Sequence, residues 1–203
     1  MKKLGFAALP LMIAASALAG DPLFYATTSY GDFGTLDPLT GTFSLIANTG
    51  QMRFVGLGFA ADGNLYGLDG SLVVEINTNN GNTFTKTPVG YPQVDGKVGE
   101  SMTGSPSGTL YAYGSMASTL LYTVQENSTA TVIGGMGYNL GGGFAADGAG
   151  NLYITAGRGT EQLFKVNPQT GAATLIGDTG TLDSFAMTFE GDTLYLAALN
   201  GTI

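Results

Sequence analysis

Asp147-Gly148-Ala149-Gly150-Asn151-Leu152-Tyr153 and, a little further on, Asn167-Pro168-Gln169-Thr170-Gly171-Ala172-Ala173-Thr174-Leu175-Ile176-Gly177 lay out one structural unit. Gly, Asn and Asp tolerate positive φ, so the first stretch is a tight turn feeding a Leu-Tyr strand. In the second, Pro presets φ at one turn position and Gly supplies the positive-φ position. It therefore reads as a hairpin loop followed by a strand of alternating polarity. The Leu-aromatic pair recurs at Leu23-Phe24-Tyr25, Leu65-Tyr66, Leu110-Tyr111, Leu152-Tyr153 and Leu194-Tyr195, with leucine separations of 42, 45, 42 and 42 residues. So regular a spacing identifies a repeat architecture.

The other units follow the same grammar. Turns fall at Asp62-Gly63-Asn64, Asp37-Pro38-Leu39-Thr40-Gly41 and Asn77-Thr78-Asn79-Asn80-Gly81, and the third unit degenerates to Gln125-Glu126-Asn127-Ser128-Thr129. A third strand appears in Thr42-Phe43-Ser44-Leu45-Ile46. A fourth, Gly-rich and apolar, appears in Val55 to Ala60, Gly141 to Ala145 and Ser184 to Phe189. Four short strands in about 42 residues match the period of a propeller blade. No unit carries helical i, i+3, i+4 apolar spacing, and a β-sandwich would not require a constant period. The expected fold is all-β, a β-propeller of four-stranded blades whose Gly-rich strand lies innermost, where side chains must be small. The Tyr of each Leu-Tyr strand is expected to pack between blades.

Gly-Asn-Leu-Tyr before one strand and Asn167 to Gly177 across the next hairpin look like the blades of NHL- and lactonase-like propellers. They are also similar to repeats of exported bacterial proteins. The resemblance spans nearly all of the chain after residue 19. Because its motifs are structural, it implies a fold and not an activity.

The N-terminus reads as targeting. Lys2 and Lys3 precede an apolar run from Leu4 to Ala15, and Ala17-Leu18-Ala19 supplies the small-x-small pattern of signal peptidase, placing cleavage between Ala19 and Gly20. The run is shorter than the ~20 residues of a spanning helix. Residues 1–19 are thus the expected signal peptide and 20–203 the repeat domain, a secreted or periplasmic protein with no membrane span. With Lys2 and Lys3 removed, 5 of the 7 basic residues remain against 15 acidic ones, a net charge of −10. That charge repels phosphate backbones and excludes nucleic acid.

The strands also have a phase. With the inner strand called a, the chain opens on b, c and d from Leu23 to Ile46. Complete units then start near Val55, Val98 and Leu140, and Asp183 to Ile203 supplies only a and b. This is about four blades' worth of strands with one strand over, or part of a larger ring in a truncated copy.

The chain has no His and no Cys, which removes Ser-His-Asp and Cys-His nucleophiles, His-ligated zinc and thiolate sites. No cofactor is expected. Asp62-Gly63-Asn64 and Asp147 to Asn151 lack the ligand pattern of calcium loops and read as turns. Gly141-Gly142-Gly143 lacks the Lys-Ser/Thr of a phosphate loop and reads as an inner strand. Asn127-Ser128-Thr129 and Asn200-Gly201-Thr202 match the glycosylation pattern, with no use expected. The d-to-a and b-to-c connections share one face and carry Tyr30, Asp32, Arg53, Tyr91, Asp95, Tyr138, Arg158 and Glu161, including both arginines of the chain. Loops at one mouth of a scaffold are where sites gather. These residues are the candidate surface for a protein, peptide or saccharide ligand, on an exported, non-catalytic binding scaffold. The competing readings are a carboxylate-dependent hydrolase or lyase using a pair such as Asp32 and Asp95, and a structural protein acting through its edge strands.

Overall fold

The computed structural model describes residues 11–15, 24–50, 54–69, 72–85, 100–114, 119–124, 130–156, 161–181 and 184–198. All regular structure among them is β-strand, so no helix is present there that could cross a membrane. The first sheet is β1 (Leu11–Ala15), β2 (Phe24–Thr28), β3 (Asp32–Asp37) and β4 (Thr42–Asn48). The second is β5 (Phe54–Phe59), β6 (Leu65–Asp69), β7 (Leu72–Ile76) and β8 (Thr83–Thr85). The third is β9 (Ser101–Gly104), β10 (Leu110–Gly114), β11 (Leu120–Val124) and β12 (Thr131–Gly135). The fourth is β13 (Phe144–Ala146), β14 (Leu152–Thr155), β15 (Gln162–Val166) and β16 (Ala173–Asp178). A fifth holds β17 (Ser184–Glu190) and β18 (Thr193–Ala198). In each sheet every strand pairs antiparallel with the next in sequence, the meander that the a-b-c-d grammar predicts.

The turns form as their residues dictate. Gly41, Gly81 and Gly171 have φ of 73°, 69° and 77°, and each donates its amide to the carbonyl of Asp37, Asn77 or Asn167 at 2.8 Å. The side chains of those three residues accept the amides of Leu39, Asn79 and Gln169 at 2.7, 2.9 and 2.8 Å, closing Asx turns.

Register refines the repeat. Leu65, Leu110 and Leu152 pair with Ile76, Val124 and Val166, and Ile76 and Val166 each stand within a residue of the following turn. In the first sheet the residue paired with the equivalent Leu36 is Phe24. Phe24-Tyr25 is therefore the first sheet's counterpart of Leu-Tyr, one position on from Leu23, which lies outside the described residues. An aromatic and a leucine fill the same slot because both bury a large apolar surface.

The chain's first described segment also differs from a simple b-c-d opening. Leu11–Ala15, the apolar stretch read as a leader, pairs with β2 from Leu11↔Thr28 to Ala15↔Phe24 and gives the first sheet its innermost strand. These residues thereby pair with the edge of β2 that faces away from β3.

The core lies as slabs between sheets. Phe33, Phe54, Leu57, Leu65, Val74 and Ile76 fill the space between the first two; Tyr66, Leu68, Met102, Leu110 and Tyr122 that between the second and third; Tyr113, Leu121, Phe144, Ile154 and Phe164 that between the third and fourth. A smaller slab of Phe24, Ala26, Leu36, Ala186 and Ala197 joins the fifth sheet to the first. Innermost strands lie beside one another, β1 with β5, β5 with β9, β9 with β13, β13 with β17 and β17 with β1. The Leu-Tyr aromatics bridge sheets as expected. Tyr25 lies edge-on to Phe59 at 6.1 Å, Tyr153 tilts on Phe189 at 5.1 Å, and Tyr195 meets Phe24 at 5.1 Å.

The Gly-rich inner strands are the closest packed of all. A Cβ on Gly104 would collide with the carbonyl oxygen of Phe59 and sit 2.8 Å from its amide nitrogen. Backbone cannot step aside as a side chain can, so Gly104→Ala should cost about 2 kcal/mol or more in denaturant unfolding. Gly148→Ala, whose Cβ would meet nothing within 4 Å, should stay within about 0.5 kcal/mol of the parent.

Candidate functional site

An antiparallel meander puts its b-c and d-a connections at the same end of every sheet, and hydrogen bonds tie them together there. The amide and hydroxyl of Thr49 donate to the Gly31 carbonyl at 2.8 and 3.0 Å, and Asn48 Nδ2 donates to the Tyr30 carbonyl and to Asp32 Oδ1, both at 3.0 Å. Met136 N donates to the Thr119 carbonyl at 2.9 Å, and Thr179 donates through its amide and hydroxyl to the Glu161 carbonyl at 2.9 and 3.1 Å. Short polar side chains thus turn connecting segments into a fastened rim.

Of the eight residues expected on this end, four are described. Tyr30 is 67 % exposed at the tip of the β2–β3 connection, and Tyr138, 47 % exposed, tilts on Phe164 with ring centroids 4.8 Å apart. Asp32 is half-buried and holds Asn48. Glu161 departs from a loop-surface position. It is buried at 1 % exposure, with the Ser184 hydroxyl donating to its Oε2. Arg53, Tyr91, Asp95 and Arg158 lie outside the described residues, as do Asn127-Ser128-Thr129 and Asn200-Gly201-Thr202.

Glu161 belongs to a buried polar chain that sequence reading did not single out. The Tyr113 hydroxyl donates to the Gly142 carbonyl at 2.6 Å, and Gly143 N donates to Thr155 Oγ1 at 2.8 Å and to the Ser184 carbonyl at 3.1 Å. Thr119 Oγ1 accepts the Leu140 amide at 2.7 Å and donates to the Leu140 carbonyl at 2.9 Å. The chain therefore stitches the third, fourth and fifth sheets at the rim. Burial, then the charges of Glu100 and Glu161, push the Tyr113 phenol far above its ordinary value, so it remains a proton donor wherever the protein is folded. The Gly141 to Gly143 amides are all satisfied internally, Gly141 by the Ala156 carbonyl and Gly142 by the Thr155 carbonyl, each at 3.1 Å, and these three residues, expected within the inner strand, lie just before it, since β13 begins at Phe144.

A signal for this chain existed in the repeat. Thr27, Leu68, Tyr113, Thr155 and Ala197 stand three residues after Phe24, Leu65, Leu110, Leu152 and Leu194 and so occupy one position in five sheets. Where that position is polar in the third and fourth sheets, it reaches the next sheet's inner strand. Thr155 Oγ1 contacts the Ser184 carbonyl at 3.4 Å. Thr27 is fully buried and its hydroxyl makes no hydrogen bond among the described residues.

At the opposite end the acidic turns have no spare ligands. Asp62 accepts Asn64 N and Nδ2 at 2.9 and 2.8 Å and the Tyr66 hydroxyl at 2.8 Å. Asp147 accepts Ala149 N, Asn151 N, Asn151 Nδ2 and the Tyr153 hydroxyl at 2.9, 2.8, 2.7 and 3.2 Å. Among the described residues, no three carboxylates gather closely enough to hold a cation. Desolvation pushes the Asp147 carboxyl upward, but hydrogen bonds led by the Asn151 side chain outweigh it and hold the group below the ordinary 3.8. A depressed folded value contributes stability above the unfolded value that is lost as the pH falls through the folded one. The stability gap between the parent and Asp147→Ala should therefore narrow on acidification below about pH 4, as read in thermal melts across that range.

No protein-family model and no curated protein matches the sequence. Solved structures do. A chain of the nidogen/laminin complex aligns with a TM-score of 0.65 at 16 % identity, over 94 % of this chain and 73 % of that one. A gluconolactonase of Xanthomonas campestris gives 0.65 at 12 % identity over 97 % and 72 %, and a putative gluconolactonase gives 0.61 at 10 % identity over 99 % and 78 %. At these identities the likeness is one of fold, and with the all-antiparallel four-stranded sheets it makes this an all-β protein of the propeller kind.

Proposed function

We propose that the chain is an exported, non-catalytic propeller that binds a protein, peptide or saccharide on the end formed by its b-c and d-a connections. The observation that carries this reading is how side chains are divided there. Glu161, the buried carboxylate, is held by Ser184 inside the fold, and Tyr30 and Tyr138 are left in solvent. Exposed aromatics offer large, stiff contact area with a polar tip, which suits recognition. Arg53 and Arg158 complete the proposed surface as donors for carboxylate or hydroxyl groups.

The scaffold proposed for it is a ring of five sheets in the uncleaved chain, supported by the neighbour relations of β1, β5, β9, β13 and β17. Export by the leader then removes β1, so the exported protein should begin at Gly20 on N-terminal sequencing. Its β2 amides should exchange faster than in the uncleaved chain.

One of the structural neighbours comes from a binding complex and two are gluconolactonases, so binding and carboxylate-dependent hydrolysis are the two readings to separate. On arrays of peptides and glycans, Tyr30→Ala with Tyr138→Ala should lower capture about tenfold. Arg53→Ala with Arg158→Ala should do the same, with melting temperatures held. Unchanged capture in both double variants, or turnover of a lactone or ester panel that Asp32→Asn and Asp95→Asn abolish, discards the binding reading.

A further inference from the structure

Two sheets carry a carboxylate and an amide in the same cross-strand pair at the rim. In the first, Asp32 of β3 pairs with Asn48 of β4; in the fourth, Gln162 of β15 pairs with Asp178 of β16. The places are equivalent. One further pair, Phe33↔Ala47 or Leu163↔Gly177, separates each from a β-bulge. Beyond each, a threonine, Thr49 or Thr179, donates its amide and hydroxyl to the carbonyl of Gly31 or Glu161.

The two pairs behave differently. Asn48 is fully used: its Nδ2 donates to the Tyr30 carbonyl and to Asp32 Oδ1, both at 3.0 Å, and its Oδ1 accepts the Gly50 amide at 2.9 Å. Asp178 stands where Asn48 does, and a carboxylate has no N–H to offer a loop carbonyl. Neither its side chain nor that of Gln162 makes a hydrogen bond among the described residues. Asp178 is exposed and Gln162 half-buried. A ring stands beside this open pair. Gln162 and Phe164 are two apart on β15 and share a face, with Asp178 opposite Gln162 on the same face. Tyr138 lies on Phe164 with ring centroids 4.8 Å apart and keeps 47 % of its surface in solvent. In the first sheet the residue two on from Asp32 is Gly34, with no side chain to seat a ring.

We propose that Tyr138, Gln162 and Asp178 form a subsite for a neutral sugar ring, an assignment that rests on the binding reading above and narrows its ligand to a saccharide. Tyr138 offers a stiff apolar surface to the C–H face of the ring. Residues opposite one another in an antiparallel pair have Cβ atoms about 5 Å apart, so the carboxylate and the amide reach neighbouring hydroxyls of one ring. A hydroxyl both donates and accepts, and therefore satisfies Asp178 and Gln162 together. A cation would leave the Gln162 N–H groups without an acceptor, and an anion is repelled by Asp178 and by the acidic chain. A peptide group turns its N–H and C=O in opposite directions and gives the carboxylate one donor, where adjacent hydroxyls give two.

The test presents the whole chain to an array of neutral hexose oligosaccharides, matched uronate and amino-sugar oligomers, and peptides of mixed sequence. Neutral sugars should be captured. Asp178→Ala breaks no hydrogen bond, so it should keep the parent's melting temperature and weaken that capture about tenfold. Gln162→Asp with Asp178→Asn, which rebuilds the first sheet's closed pair, should abolish it. Capture of neutral sugars indifferent to Asp178→Ala, or capture confined to uronates or amino sugars, overturns the subsite. Capture of peptides alone overturns it while the binding reading stands, and no capture of any kind overturns both.

Discussion

Between β5 and β9 there is no space for a side chain. A Cβ on Gly56 would run into the Met102 backbone, one on Gly58 into Gly104, and one on Gly104 into Phe59. This backbone-on-backbone approach sets the spacing of the inner strands. Because sheets twist and carry side chains on both faces, the gap must widen outward, and the widening space is filled by Leu65, Tyr66, Leu110, Tyr122 and Phe144. Each of the first three sheets therefore buries both faces, and none of them has a solvent face to stand on alone. The outer strands β4, β12 and β16 are where burial ends, and there Leu45, Val132 and Leu175 are exposed. Bulges at those strands twist the edge away from flat strand pairing, a usual defence of an open sheet edge.

The acidity of the chain has a structural use that competes with chemistry. Asp37, Asp62 and Asp147 are turn residues whose oxygens accept the amides of their own turns. Asn77 and Asn167 do the same work without charge. A carboxylate committed to two or more amides gains little as a base or a ligand, because its ionised form is already stabilised and its lone pairs are directed into the turn. Where the rim does bury a carboxylate, at Glu161, a serine hydroxyl from the neighbouring sheet meets it.

Much of the fold could be read from sequence because the repeat encodes it locally. Turn glycines and Asx residues each act over a few residues, and they appear where the pattern placed them at Asp37, Asn77 and Asn167, while Gln125 to Thr129 lies outside the described residues. The failures were of one kind. Phe24 rather than Leu23 takes the leucine position, because pairing with Leu36 and not spacing along the chain fixes the register. The strand phase opens on b, c and d from Leu23, and the pairing of Leu11–Ala15 with β2 as a further strand is a contact that spacing along the chain does not carry. Glu161 reads as a loop residue, and its burial depends on Ser184, 23 residues away on another sheet. The contacts among Tyr113, Gly142, Thr155 and Ser184 are likewise between sheets, where no local rule reaches.

Repetition also explains why the rim is uneven. One scaffold position holds Thr27, Leu68, Tyr113, Thr155 and Ala197 in turn, and the inner strand bulges beside it in the second and fifth sheets, where it is Leu68 or Ala197. Leu68 and Ala197 simply fill the slabs. Tyr113 and Thr155 reach across to the next inner strand and convert an apolar seam into a directional one. Directional bonds resist sliding of one sheet on the next, whereas apolar contacts tolerate it. The third, fourth and fifth sheets are therefore fixed at the rim more firmly than the first and second. Tyr138 lies on the connection between the third and fourth sheets, within that directional network's reach, whereas the Tyr30 connection is held by its own sheet, through Asn48 on the Tyr30 carbonyl and Thr49 on that of Gly31.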